Sequence, residues 1–256
     1  MKQLVYFIHE CEYGKVLGGV ERRFLGISAE FSKLGLESYV IELSPSLSAS
    51  WVKSDYHLTI AKSKNDRGPR FLSFVQNVLH LTWQGLKIMR EEGCDLVYVT
   101  RHDFYENVIP AYLVSRVARI PLVIVCHHVN PKDLLSTKQL FITARKAGLR
   151  TSSAAISLLK EWVPRLIIPR CDLCFVVSES SAREFKRVFG VQRVRVVGNG
   201  IDLPDQEIIA ASSTKKYAVA FCGRMEPYKG TDTLIRAWQL IVQKCPKAKL
   251  VMIGAA

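Results

Sequence analysis

Two cations stand five positions apart in the turn Gly223-Arg224-Met225-Glu226-Pro227-Tyr228-Lys229-Gly230. A strand-like run, Tyr217 to Cys222, enters this turn, and a helix-like run, Thr231 to Lys244, leaves it. Such a turn suits a diphosphate. Its backbone N–H groups and the helix N-terminus favour an anion, and Arg224 and Lys229 neutralise the charge. Four further strand ends carry polar side chains, which matters because ligands of open α/β sheets bind at the carboxyl ends of strands. Gly18-Gly19 follow the first strand. They lack G-x-G-x-x-G spacing, which disfavours a dinucleotide, yet they let a phosphate approach the backbone; a merely flexible turn is the equal alternative. Arg101-His102-Asp103, after Val99, reads as a surface loop. His127-His128, after Cys126, place two imidazoles where hydrogen bonding to hydroxyls or proton handling is useful. No further ligands are spaced to make them a zinc site. Ser178-Glu179-Ser180-Ser181, after Val177, reads as a helix N-cap.

The elements that must position these groups alternate strand and helix. Leu4 to Ile8 is a continuous apolar run, as in a central parallel strand. Val20, Phe24, Ile27, Phe31 and Leu34 then recur at helical spacing, Gly35 stands at the C-cap, and Ser38 to Leu43 is the next strand. Residues 44–70 read as a long loop that could hold one short strand. Phe71 to Glu92 is a helix, Leu96 to Val99 a strand, Glu106 to Arg119 a helix interrupted by Pro110, and Leu122 to Cys126 a strand. Residues 132–168 are mostly helical. Leu173 to Val177, Ser180 to Phe189 and Val194 to Val197 complete a strand, a helix and a strand. The rhythm breaks at Asn199-Gly200-Ile201-Asp202, and a new βαβ unit starts at Tyr217. The fold class is therefore α/β, a doubly wound parallel sheet with right-handed crossovers, followed by the beginning of a second unit.

Bulk properties narrow the function classes. The 256 residues, 48% hydrophobic and 23% charged, suit one or two globular domains. Seven cysteines, an odd number without a regular framework, point to a reduced intracellular chain. Cys171-x-x-Cys174 lies within a strand and has no second pair, which disfavours zinc. The N-terminal apolar run is too short for a signal peptide, and no stretch approaches a membrane span. Net charge is +13. Residues 131–170 hold eight Lys/Arg against Asp133 and Glu161, a basic face suited to a membrane surface or to plain solvation. No aromatic interleaving accompanies it, so nucleic acid is not expected as a partner.

Taken together, these residues resemble the retaining glycosyltransferases of family 4. The resemblance is carried by Gly18-Gly19-Val20-Glu21 after the first strand, by Pro121 to His127, and by Cys171-Asp172 through Val177-Ser178. Val197 to Asp202 and Phe221-Cys222-Gly223-Arg224 through Lys229-Gly230 carry it most specifically. It implies a GT-B fold, with an acceptor-binding Rossmann-like domain at 1–199, a linker at 200–216, and the start of a nucleotide-sugar-binding domain at 217–256. It implies transfer of a sugar, with retention, from a nucleotide sugar such as a UDP- or GDP-sugar to a lipid-linked or polysaccharide acceptor. Arg224 and Lys229 would hold the donor diphosphate, with Gly18 and Gly19 near the same phosphates. His127 would act at the transferred sugar, and His128, Ser178, Asn199, Gly200 and Asp202 would line the cleft between the domains. No cofactor and no metal is implied, and the expected location is the cytoplasm, with peripheral contact at the membrane face. Family members continue beyond the position of Ala256, through a Glu-x7-Glu motif. The chain alone is accordingly expected to be incomplete or inactive. The alternatives are a non-catalytic or split subunit completed by a partner chain and, less favoured, another GT-B enzyme such as a sugar-nucleotide epimerase.

Overall fold

A computed structural model of the chain describes residues 1–7, 19–44, 57–62, 70–103, 105–129, 139, 142, 162–163, 165–200, 216–223, 225 and 229–254. Contacts divide the chain into two compact units, Met1–Gly200 and Ile201–Ala256.

The first unit is built on seven parallel strands: β1 (Lys2–Phe7), β2 (Glu37–Ser44), β3 (His57–Lys62), β4 (Leu96–Val99), β5 (Leu122–Cys126), β6 (Leu173–Val176) and β7 (Val194–Val196). Their order across the sheet is β3-β2-β1-β4-β5-β6-β7. Every pairing is parallel, with Tyr6 opposite Val99 and Val99 opposite Ile124 in the central register. The short apolar runs form these strands because both faces of the sheet are covered. Successive side chains point to opposite faces, so Leu4 and Tyr6 enter one core and Val5 the other. The same alternation sends Leu122, Ile124 and Cys126 to the first core and Val123 and Val125 to the second.

Helices α2 (Arg70–Glu92), α3 (Tyr105–Ala118) and α4 (Glu179–Phe189) cover the first face. On the second face, Phe24 of α1 (Gly19–Lys33) packs on Val5, Val40, Tyr98, Val123 and Val125. One sequence expectation is met and one needs correction. The polar stretch 44–70 contains a single short strand among the described residues, β3, an edge strand paired with β2 from Tyr39–His57 to Ser44–Lys62. Helix α3 is not interrupted at Pro110 but runs through it. The proline costs one backbone hydrogen bond near the helix start, while Asn107, Val108, Ala111, Val114 and Ser115 bury themselves around it.

The second unit, as described, is a single βαβ element. Strand β8 (Val219–Cys222) and strand β9 (Leu250–Ile253) pair in parallel, joined by α5 (Thr231–Lys244). Gly230 caps α5 in the left-handed conformation, at φ 76°, where a Cβ would be strained. Ile235, Leu240 and Ile241 of α5 and Ile253 of β9 are exposed.

Candidate functional site

The strand order fixes where a ligand belongs. Connections run one way from β1 to β2 and β3, and the other way from β4 onward, so the topological switch lies between β1 and β4. Crevices at such points, outside the carboxyl ends of the strands, are where doubly wound sheets bind ligands. Thr100 sits at this place. Its N–H and its hydroxyl both donate to the Tyr6 carbonyl, at 3.2 and 3.3 Å. Its own carbonyl lies 3.1 Å from His127 Nε2 at the end of the neighbouring β5.

That contact settles the tautomer of His127. A carbonyl only accepts, so Nε2 carries the hydrogen and donates it. The ring is half-buried. Burial, with help from Arg23 and Arg101, pushes its pKa down against the raising effects of the Thr100 carbonyl and Asp103. His127 is therefore neutral near pH 7, and Nδ1 is left as the acceptor. An acceptor nitrogen at a sheet edge can take a hydrogen bond from a substrate hydroxyl. His128 follows it and is exposed.

The loop after β4 is not the surface loop that its charged sequence suggests. Arg101 and Asp103 form a two-pronged ion pair, Nε to Oδ1 at 3.0 Å and Nη2 to Oδ2 at 2.7 Å. The pair neutralises both charges and lets the loop fold inward, and the side chains are only 13% and 19% exposed. Burial opposes ionisation of Asp103, but Arg101 and the neighbouring groups outweigh it and hold the carboxyl below its usual range. His102, between them, is 2% exposed. Its ring meets His128 edge-on at 6.0 Å and Phe185 of α4 at 5.0 Å. Neither ring nitrogen has a hydrogen-bond partner among the described residues.

Arg23, on the first turns of α1, reaches the same edge. Its Nη2 donates to the Val197 carbonyl at 3.2 Å, just past β7, while Nε and Nη1 are buried without a partner among the described residues. No local signal exposes this contact, since the partners lie 174 residues apart.

Other expected site residues fall as follows. Gly19 is the first residue of α1. Asn199 and Gly200 are exposed beyond β7, and Lys229 is exposed before α5. Gly18, Asp202 and Arg224 lie outside the described residues. Ser178 is the N-cap of α4: its Oγ accepts from the Ser181 N–H at 3.1 Å, and Gly190 closes the same helix in the left-handed conformation. Ser178→Ala is expected to cost about 1 kcal/mol of stability, as for other lost caps, measured by urea unfolding.

Cys171 and Cys174 belong to the core. Cys174 Sγ lies 3.0 Å from Cys126 Sγ, and all three thiols are buried. Contact with Cys174, and then burial, push the Cys171 thiol up. Contact with Cys126, helped by burial, raises the Cys174 thiol against the lowering effect of Cys171. Protonated thiols are poor metal ligands. Among the described residues, no group of three or more His, Cys, Asp or Glu is disposed to hold a metal ion. Of the basic residues in 131–170, Arg165 and Arg170 are described and the other six lie outside the described residues. No described helix is long and apolar enough to cross a membrane.

Residues 17–204 match the pattern of Glycosyltransferase Family 4, and the chain belongs to that family. The fold is GT-B. An uncharacterised glycosyltransferase of Methanocaldococcus jannaschii, MJ1059, is 24% identical over 242 residues, which cover 90% of this chain and 55% of the relative. The chain thus spans about half the length of that relative. Among solved structures, Alr3699/HepE of Anabaena in complex with UDP and glucose superposes with a TM-score of 0.60 at 17% identity, covering all of this chain and 61% of its own. Sucrose-phosphate synthase of Thermosynechococcus elongatus superposes at 0.61 and 12% identity, covering all of this chain and 70% of its own.

Proposed function

We propose that this chain carries the acceptor side and the donor-phosphate turn of a retaining glycosyltransferase that moves a sugar from a nucleotide sugar to a lipid-linked or polysaccharide acceptor. The observation that carries this reading is His127, neutral and fixed by the carbonyl of Thr100, which itself follows β4 at the topological switch of a family 4 chain. In this reading Nδ1 of His127 accepts a hydrogen bond from a hydroxyl of the transferred sugar. Arg224 and Lys229 neutralise the diphosphate of the departing nucleotide, with the N-terminus of α5 adding its partial positive charge. The cations and the helix dipole take the part that a metal plays elsewhere, so no cofactor is required. The excess of cations supports work at an anionic membrane face.

Calorimetric titration of the chain with UDP, GDP and ADP tests this reading. One of the three is expected to bind, and Arg224→Ala/Lys229→Ala to weaken it by more than roughly 100-fold, since each of the two charge-assisted hydrogen bonds is worth about 1.5–3 kcal/mol. A folded chain that binds none of them would sink it.

A second reading is a subunit whose small unit is completed by a partner chain. The exposed Ile235, Leu240, Ile241 and Ile253 favour it. Sedimentation would show self-association or capture of a partner; a clean monomer that binds a nucleotide would count against it.

A further inference from the structure

Buried polar groups are nearly always paired, and each exception asks for a reason. Among the described residues, His102 is such an exception at both ring nitrogens. Either neutral tautomer leaves one N–H and one lone pair unanswered. Packing does not explain a histidine here, because a leucine of similar size would fill the space without an orphaned polar atom. The ring cannot swing out to water either. The Arg101–Asp103 ion pair straddles it and pins the residues on both sides. Its two ring neighbours differ in kind. Phe185 is a fixed wall, fully buried and stacked on Phe189 at 5.2 Å. His128 is polar, exposed, and joined to His127 by one peptide bond. The polar ring that His102 faces is therefore part of the His127–His128 turn.

We propose that His102 is a positioning residue of this site: its ring sets the His127–His128 turn, and one of its unpaired nitrogens is held for a hydrogen bond completed when the site is occupied. The inference rests on the transferase reading for what occupies the site, and on geometry alone for the setting of the turn. His102 itself touches no substrate. A small approach of His128 converts the present edge-on ring contact into a hydrogen bond between the two imidazoles. One of the two orphaned nitrogens is thus satisfied only in the occupied state, which favours occupancy.

The test uses the full chain with His102→Leu and His102→Phe. Histidine ring NMR signals are recorded with and without UDP, GDP and ADP, beside thermal unfolding and calorimetry. The expected result is a variant at least as heat-stable as the parent chain, with displaced His127 and His128 ring signals and at least tenfold weaker binding of the nucleotide that the parent prefers. In the parent, that nucleotide should shift the His102 ring signals. A purely structural residue gives the opposite pattern, with lower stability and unchanged signals from the other two rings. That pattern overturns the proposal, as does loss of folding in both variants. If the parent binds no nucleotide, the transferase reading fails separately. Ring signals of His127 and His128 that move on substitution then still support the positioning role, and signals that stay put overturn it.

Discussion

Gly85→Ala is expected to destabilise the first unit by roughly 3 kcal/mol, although alanine is the better helix former by about 1 kcal/mol. Gly85 lies on α2 where Tyr6 of β1 meets the helix. A Cβ at this position would stand 1.9 Å from the Tyr6 hydroxyl and 2.9 Å from Val114 Cγ2. Tyr6 is fully buried on a central strand, and its hydroxyl donates to the Leu81 carbonyl at 3.2 Å. The ring has nowhere to go, so the methyl group breaks that hydrogen bond or spreads α2 from the sheet. Either outcome exceeds the gain in helix propensity. The consequence reaches the site, because the Tyr6 carbonyl holds Thr100 and Thr100 holds His127. A loss of about 8 °C in Tm checks the magnitude. Tyr6→Phe, which removes the closest atom, should recover part of the loss when combined with Gly85→Ala. Strict additivity of the two changes would show that the clash is not the cause.

Most of the frame was legible in the residues, and the exceptions share a physical origin. Central strands β1, β4 and β5 stand out because burial on both faces demands unbroken apolar runs, and His127 could be placed simply as the residue that ends one of them. Strand β3 could be expected only as one short strand somewhere in 44–70, because it is an edge strand. With one neighbour only, it tolerates the polar pattern His57-Leu58-Thr59-Ile60-Ala61-Lys62, which does not mark where the strand begins and ends. Pro110 read as a helix break because its local cost is visible in sequence, whereas the burial that overrides it is not. The loop 101–103 was misread for a related reason. Three polar residues in a row look solvated unless two of them cancel each other's charge, and pairing between Arg101 and Asp103 is a matter of conformation. Arg23 lay furthest from view. Its contact with Val197 joins α1 to the end of β7, and only the assembled sheet brings them together.

Acid is expected to unfold the first unit in two distinct windows, the first of them set by His102. Complete burial, with His128, His127 and Arg101 adding to it and Asp103 opposing it, brings the His102 pKa down to about 4. In the unfolded chain it stands near 6.5. A histidine lowered on folding binds its proton more readily when unfolded. Its contribution is therefore intact above about pH 6.5 and is lost as pH falls from there to about 4. The loss is on the order of 3 kcal/mol once pH 4 is passed, and roughly 2 kcal/mol at pH 5. His127 is lowered as well and adds to the same window. Asp103, lowered below its ordinary value, contributes stability above that value that disappears only in the second, more acid window. Urea unfolding between pH 7.5 and 4.5 should thus show a steady decline that begins well above the carboxylate range. His102→Leu should flatten most of it while leaving the carboxylate limb in place. A decline of equal size in that variant would assign the first window to other groups, and His102 would then not be held neutral by burial.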